Sequence, residues 1–261
     1  MPDALTVALV CLASIAVLMV AVWAISVAIR DASIVDIAWG AGFVVVAWTA
    51  FLAGDGDGAR QWLAVILTSI WGLRLSAYLA RRNLGKGEDY RYRAMRRHWG
   101  PRFPIISLAT VFGLQGVLMF VVSLPVQMVA VEDGPDGLIW IDYLGLAFWL
   151  AGFGFEAIGD WQLARFKADP ANKGKVMDGG LWRYTRHPNY FGDACVWWGL
   201  GLIAIARPEL FWTLIGPAVM TFLLVRVSGV ALLERGLKRR RPGYEEYIRR
   251  TSSFFPLPPR K

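Results

Sequence analysis

The sequence is poor in the residues that build disulfide frameworks and metal centres. Only two cysteines and two histidines occur among its 261 residues. Cys11 and Cys195 both lie inside apolar segments, which gives no basis for a disulfide framework. His187 has no second histidine near it in the sequence, because His98 belongs to another loop, and a metal centre needs several such ligands. We therefore expect no metal site.

Other common signals are also missing. The chain has no Gly-rich strand–turn–helix fingerprint, so a dinucleotide would not bind in a Rossmann domain. It has no internal repeat, no low-complexity segment and no sign of a soluble second domain. No basic segment precedes the first apolar run, so residues 1–29 are interpreted as a membrane span and not as a cleaved signal peptide.

Apolar residues, by contrast, are abundant. Hydrophobic residues make up 56% of the chain and the mean hydropathy is +0.43, values too high for an ordinary soluble domain. Seven apolar runs can be drawn, each near the roughly 20 residues that a helix needs to cross a bilayer. They are residues 4–29, 34–53, 61–80, 105–130, 139–163, 189–206 and 210–233. The pattern predicts an all-α, polytopic membrane protein with seven transmembrane helices in one domain over residues 1–261.

The charges predict an orientation for these helices. The net charge is +8, and its placement points to the lipid bilayer as the partner and not to nucleic acid. Basic residues are concentrated in residues 81–104, residues 164–188 and the tail after residue 233. The opposite loops, residues 54–60 and 131–138, are acidic, with Arg60 as their only basic residue. The positive-inside rule then places the N-terminus outside and the C-terminus in the cytosol, in what we expect to be a bacterial inner membrane.

Several charges fall inside the apolar runs or directly at their ends, at a similar depth near the cytosolic side. They are Asp36, Arg74, Glu156, Asp160, Asp193, Arg226 and Glu234. A charge in a membrane is costly unless it is paired or solvated, so their shared depth predicts one polar chamber open to the cytosol. The alternative is that each charge only pairs or snorkels to the interface for structural reasons.

The densest polar cluster is residues 179–193, which enters the sixth apolar run. His187 precedes Pro188, and this order favours a helix that begins at Pro188 or Asn189. A helix N-terminus offers free amides and a positive dipole to an anion, and Arg183 and Arg186 suit a nucleotide-like ligand. His187 either contacts that ligand or only caps the turn.

This cluster resembles a known family. Residues 179–184 (Gly-Gly-Leu-Trp-Arg-Tyr) and 186–193 (Arg-His-Pro-Asn-Tyr-Phe-Gly-Asp) resemble the C-terminal region of steroid 5α-reductases, a group that includes the sterol C14- and C7-reductases. Isoprenylcysteine and phospholipid methyltransferases share the Arg-His-Pro-x-Tyr-x-Gly element. Residues 36–40, 71–75, 88–93 and 240–256 extend the likeness, which is greatest to an uncharacterised bacterial membrane branch of the reductase family.

The resemblance implies seven spans, NADPH bound from the cytosol, and hydride transfer to an activated carbon–carbon double bond. It implies that residues 139–261 form the cofactor region, whereas residues 1–130 form spans one to four on the substrate side. By position, Asn189 and Asp193 match the residues that hold the nicotinamide, with His187 beside them, and Asp160 and Lys167 match residues near the adenosine. The other cofactor candidates are Arg81, Arg82, Asn83, Arg183 and Arg186 near the phosphates, and Tyr184, Arg226 and Glu234 as further contacts.

The substrate side departs from the family pattern. Steroid reductases carry a Gln-Glu pair in span two and a Tyr in span three, where this chain has Val35-Asp36 and Trp71. The candidates for contact with the substrate carbonyl are therefore Asp36, Arg74 and Tyr78. The favoured function is reduction of a steroid-like enone, a polyprenyl lipid or a fatty acyl chain. The alternatives are an S-adenosylmethionine-dependent lipid methyltransferase, favoured by the acid at Glu234, and a non-catalytic lipid-binding protein.

Overall fold

The computed structural model describes residues 3–54, 58–131, 137–227, 234 and 243–260. Within these ranges every element is an α-helix, a 3₁₀ turn or a π turn, and the one strand-like feature is an isolated bridge between Thr185 and Ser252. The prediction of an all-α fold is therefore confirmed for the described part of the chain.

The chain divides into two compact units. The first unit comprises Met1–Ile139 and Ile203–Ile215, and the second comprises Trp140–Leu202 and Gly216–Lys261. The helices before residue 139 are α1 Ala4–Ile29, α2 Ile34–Ala53, α3 Ala59–Asn83, α4 Tyr90–Trp99, α5 Phe103–Ser107, α6 Leu114–Val122 and α7 Leu124–Val129. The later helices are α8 Trp140–Ala168, α9 Pro188–Ala204, α10 Ile215–Phe222 and α11 Tyr244–Arg250.

Six of the described helical segments are long and apolar enough to cross a membrane, as in an integral membrane protein. They are Ala4–Ile29, Ile34–Ala53, Ala59–Asn83, Tyr90–Val122, Trp140–Ala168 and Pro208–Val227. The sixth predicted span corresponds to α9, which has 17 residues and is shorter than the roughly 20 that a straight span requires. The count of seven spans and the orientation therefore stay predictions.

In the first unit, α2 and α3 approach closely next to Asp36. A Cβ atom on Gly40 would lie 2.4 Å from the carbonyl oxygen of Gly72, so only glycine allows this separation of the two backbones. The Ser76 hydroxyl accepts a hydrogen bond from the Ala41 amide (2.8 Å) and donates one to the Ile37 carbonyl (2.7 Å). Both contacts fix the first turns of α2, which carry Asp36, against α3.

In the second unit, α8 and α9 are equally close. A Cβ atom on Gly192 would lie 2.5 Å from the Gly152 carbonyl oxygen and 2.5 Å from the Glu156 amide nitrogen. Glycine at these positions therefore lets the start of α9 lie directly on α8. The polar residues 186–193 are held against the stretch of α8 that carries Glu156 and Asp160.

Candidate functional site

The loop that leads into α9 is fixed to α8 by side-chain hydrogen bonds. The Trp182 indole donates to the Gly159 carbonyl (3.1 Å), and Gln162 Oε1 accepts from the Leu181 amide (3.0 Å). Gly180 has φ +60°, and a Cβ atom there would also collide with the Gln162 amide. The loop therefore needs glycine at this turn to reach its position over α8.

The C-terminal tail lies on the same loop. Arg186 N donates to Ser252 O (2.9 Å), Thr185 Oγ1 to Phe254 O (2.8 Å), Leu257 N to Tyr184 O (3.0 Å) and Tyr247 Oη to Trp182 O. All four bonds end on a backbone carbonyl, and two of them also start from a backbone amide, whereas the other two need the hydroxyl groups of Thr185 and Tyr247. The tail and residues 182–186 form one hydrogen-bonded layer.

A buried ion pair joins this layer to Glu234. Arg186 Nε donates to Glu234 Oε1 (2.8 Å), and Arg186 also donates to the carbonyls of Ile248 (3.1 Å) and Thr251. His187 Nε2 lies 3.2 Å from the same Glu234 oxygen. Arg186 and His187 are only 7% and 4% exposed, so the charges of this cluster are shielded from water.

The pKa values in this cluster follow from its contacts. Burial acts to raise the pKa of Glu234, but hydrogen bonds from His187 and Arg186 and the charge of Arg186 lower it to about 2. Burial lowers the pKa of His187 and outweighs the opposing effect of Glu234, which favours a neutral imidazole. A neutral His187 that donates to Glu234 fits these directions.

Asn189 lies in the first turn of α9, and only the nitrogen of its side-chain amide has a hydrogen-bond partner within the described part of the chain. Its Nδ2 donates to Asp160 Oδ1 (3.2 Å), which fixes the orientation of the amide because a carboxylate can only accept. The Asn189 Oδ1 atom is buried and has no hydrogen-bond partner among the described residues. Asp193 is one turn further along α9, on the same face. This arrangement leaves a buried acceptor for a ligand N–H group.

A cavity of about 530 Å³ lies at the end of α8. The turn of α8 that follows Asp160 forms one wall through Trp161, Gln162 and Arg165, and the loop around Gly180 forms another. The Arg165 guanidinium lies 5.5 Å from the centre of the exposed Trp161 ring. The cavity therefore combines an accessible aromatic face with a cation, and two acids, Asp169 and Asp178, also line it. Asp178 is paired with Arg250.

The remaining predicted cofactor residues of the second unit lie at its surface. Lys167, Arg183, Tyr184 and Arg226 are exposed, and Arg226 belongs to the π turn Leu223–Val227. Their exposure leaves them accessible to an anionic ligand. Their assignment to cofactor binding stays a prediction.

In the first unit, Asp36 is the centre of a hydrogen-bonded cluster that includes two residues absent from the sequence-based site. Its carboxylate accepts from Arg91 (2.6 Å) and from the Tyr92 hydroxyl (2.7 Å), and Asp89 also accepts from Arg91 (2.9 Å). Gln115 Nε2 lies 3.4 Å from the Tyr92 hydroxyl. The alternation of acidic, aromatic and basic residues over 88–93 is the sequence signal that could have identified Arg91 and Tyr92.

The other predicted residues of the first unit cluster around an aromatic ring. The guanidinium groups of Arg74 and Arg82 each lie 5.7 Å from the centre of the Tyr78 ring, and Arg82 donates to Asn83 Oδ1 (3.0 Å). Arg81 is exposed. These contacts join Arg74, Tyr78, Arg82 and Asn83, whereas Asp36 pairs with α4. The single chamber that joins both units stays a prediction.

Replacing Tyr92 with phenylalanine is expected to lower the free energy of unfolding by about 1.5–3 kcal/mol, since a hydrogen bond to a carboxylate is lost in a buried position. Tyr90→Phe removes the same hydroxyl from a residue that is 53% exposed and serves as the control. Unfolding of the two variants in detergent gives the comparison. Equal stability of the two variants would show that the Tyr92–Asp36 bond contributes nothing.

Comparison with known proteins identifies the family. An uncharacterized protein of Schizosaccharomyces pombe is 24% identical over 263 aligned residues, which cover 90% of this chain and 75% of that protein. No solved structure matches the chain. The family model described as "Protein of unknown function (DUF1295)" matches residues 22–251, a range that includes both polar clusters described above. The chain therefore belongs to the DUF1295 family.

Proposed function

We propose that this protein is a membrane-embedded reductase that uses NADPH to reduce an activated carbon–carbon double bond in a lipid. The motifs at residues 179–193 resemble those of steroid 5α-reductases, which supports this class. In this proposal the protein crosses the membrane seven times, with its N-terminus outside and its cofactor site facing the cytosol. The observation that carries the proposal is the amide of Asn189, whose nitrogen donates to Asp160 while its oxygen is buried without a partner among the described residues.

A buried acceptor without a partner costs about 1–3 kcal/mol, so a fold that retains one gains from a ligand that donates to it. The carboxamide of nicotinamide is such a donor. Asp160 holds the Asn189 amide with its oxygen available, and the N-terminus of α9 favours negative charge nearby. Asn189 therefore orients the nicotinamide, and Asp193 supports it from the next turn.

The cavity beside Asp160 suits the adenosine end of the same cofactor. Its volume of about 530 Å³ is adequate for a nucleoside, and the Trp161 ring offers a stacking face. Lys167 and Arg183 are exposed cations that can contact phosphates. Arg186 is committed to Glu234 and the tail carbonyls, so in this proposal it holds the loop in place.

Bound NADPH would supply a hydride to the double bond. The chain itself contributes orientation of the nicotinamide through Asn189 and exclusion of water by apolar helices. On the substrate side, Asp36 accepts from Arg91 and Tyr92, and as a carboxylate it would act by orienting a donor. Arg74 and Tyr78 stay the candidates that can donate to the substrate carbonyl. The apolar composition of the helices fits a lipid substrate.

Replacing Asn189 with alanine is expected to weaken NADPH binding roughly tenfold or more, since the hydrogen bond to the nicotinamide is lost. Calorimetric titration of the purified protein in detergent gives the dissociation constants. Thr110→Ala, at an exposed residue of the first unit, is the control and should bind as the wild type does. Unchanged affinity in the Asn189 variant would remove Asn189 from the site.

The contact between His187 and Glu234 keeps a methyltransferase as the second candidate. Methyltransferases that share the Arg-His-Pro element also carry an acid at the position of Glu234, and here that acid lies 3.2 Å from the histidine. Binding of S-adenosylmethionine that NADPH does not displace would favour this class over the reductase. A cellular phenotype that alanine at both Asn189 and Asp193 leaves unchanged would favour a non-catalytic lipid-binding protein.

A further inference from the structure

The arginines of α4 and the turn after it fall into two classes. Arg91 and Arg96 point into the first unit: Arg91 pairs with Asp36 (2.6 Å), and Arg96 pairs with Glu88 (2.7 Å). Glu88 also accepts from the Ala32 amide (2.9 Å), so these pairs fasten α4 to the segment between α1 and α2. Arg91 and Arg96 therefore have a structural role, which is to hold α4 in place. The other arginines of this segment have no such role among the described residues.

The second class consists of Arg93, Arg97 and Arg102. All three are exposed, and none of them forms an ion pair within the part of the chain that the structure describes, although the charge of Arg93 helps to lower the pKa of Glu88. Arg93 and Arg97 are four residues apart and share a face of α4, where like charges repel each other. Arg93 and Arg97 are exposed on the fixed helix α4, and Arg102 is exposed in the turn that follows it, so these guanidinium groups are accessible to an anion.

The position of this surface relative to the membrane identifies the anion. The segment Tyr90–Val122 has 33 residues, whereas about 20 suffice to cross the hydrocarbon core. Gly100, with φ +52°, ends α4, and the apolar helices begin at Phe103. Trp99 is 41% exposed at this junction, as is typical of an interfacial anchor. Arginines directly before an apolar segment that is long enough to cross the membrane are suitably placed to contact lipid headgroups.

We propose that Arg93, Arg97 and Arg102 form a binding surface for anionic phospholipid headgroups. Arginine contacts phosphate oxygens in a bidentate manner, and Trp99 places its ring beside the glycerol region of the same lipid. A basic residue near an anionic membrane surface contributes roughly fivefold to affinity. This inference is independent of the proposed reductase activity, because it concerns the lipid environment and not the cofactor.

The test is native mass spectrometry of the full-length protein in micelles, titrated with phosphatidylglycerol or with phosphatidylcholine of the same acyl chains. The wild type is expected to retain phosphatidylglycerol in preference to phosphatidylcholine. The double variant Arg93→Gln, Arg97→Gln is expected to lose roughly tenfold or more of its phosphatidylglycerol affinity. The control Lys173→Gln, Arg249→Gln removes the same charge from exposed residues of the second unit and should keep the preference.

Equal retention of both lipids by the wild type, or equal loss in the two double variants, would overturn the proposal. If the double variant does not fold, the single variants Arg93→Gln and Arg97→Gln replace it, and each should lose part of the preference. The wild-type preference must also fall as salt is raised, because it depends on charge. A preference for phosphatidylglycerol that is insensitive to salt would also contradict the proposal. Wild-type preference, selective loss and salt sensitivity together would support it.

Discussion

Replacing Glu234 with alanine is expected to destabilise the protein by roughly 3–5 kcal/mol, because it leaves the buried charge of Arg186 without its partner. Arg186 is 8% exposed at its side chain and Glu234 is 14% exposed, so water compensates for little of the loss. His187 loses its hydrogen-bond partner in the same variant. The effect should spread to the tail, since Arg186 also binds the carbonyls of Ile248 and Thr251.

Unfolding in detergent measures this loss, and limited proteolysis reports whether the tail is released. Glu246→Ala removes an exposed acid from α11 and is the matched control, with an expected change within about 0.5 kcal/mol. Glu234→Gln keeps a hydrogen-bond acceptor but removes the charge, so its stability should lie between those of the wild type and the alanine variant. A Glu234→Ala protein as stable as the Glu246→Ala protein would show that the ion pair is unimportant.

The same pair predicts a pH dependence. The pKa of Glu234 falls from its usual 4.5 to about 2 in the folded protein. A group whose pKa is lowered by folding contributes stability that is fully present above its usual pKa and is lost as the pH falls toward the lowered value. The wild type should therefore lose stability between about pH 4.5 and pH 2 more steeply than the Glu234→Gln variant does. Parallel profiles for the two proteins would contradict this assignment.

Replacing Gly192 with alanine is the second substitution with a large expected effect, a loss of about 3 kcal/mol or more. The new Cβ atom would lie 2.5 Å from two backbone atoms of α8, and backbone atoms cannot rotate away as a side chain can. The two helices would have to separate, which would displace Asn189 from Asp160. We expect loss of stability and of NADPH binding in the same variant.

Gly154 provides the control for this substitution. It lies on α8, and a Cβ atom there would meet nothing within 4 Å. Gly154→Ala should be neutral or stabilising by up to about 1 kcal/mol, because alanine is the better helix former. Thermal unfolding of both variants in one detergent makes the comparison. Similar stability for the two alanine variants would show that the close approach of α8 and α9 is not required.

The sequence alone was sufficient for the parts of the fold that depend on local composition. Long apolar runs predicted the helices that could cross a membrane. The His187-Pro188 order predicted a helix that begins at Pro188 or Asn189, and α9 begins at Pro188. The length of α9 was not predictable in the same way, because a run of apolar letters does not show where the helix ends. The helix α9 has 17 residues, of which 16 fall in the run 189–206, and Ala204 ends the helix.

The contacts of the candidate site could be predicted less well from the sequence. Arg186 was predicted to bind a phosphate because a guanidinium group donates several hydrogen bonds to an anion. In the structure the same group pairs with Glu234 and donates to the carbonyl of Ile248. Tyr92 and Asp36 are 56 residues apart, and their pairing depends on how α2 and α4 pack. The bond from Arg186 N to Ser252 O joins two backbone atoms. Because nearly every residue has these atoms, no residue type in the sequence predicts this bond.

The most direct measurement for the proposed function is equilibrium binding of NADPH to the purified wild-type protein in detergent, with S-adenosylmethionine as the competitor. The proposal predicts saturable binding of one NADPH per chain that NADP⁺ displaces and S-adenosylmethionine does not. Binding should weaken in the Asn189→Ala protein and persist in the Thr110→Ala protein. Saturable binding of S-adenosylmethionine with no measurable binding of NADPH would contradict the proposal.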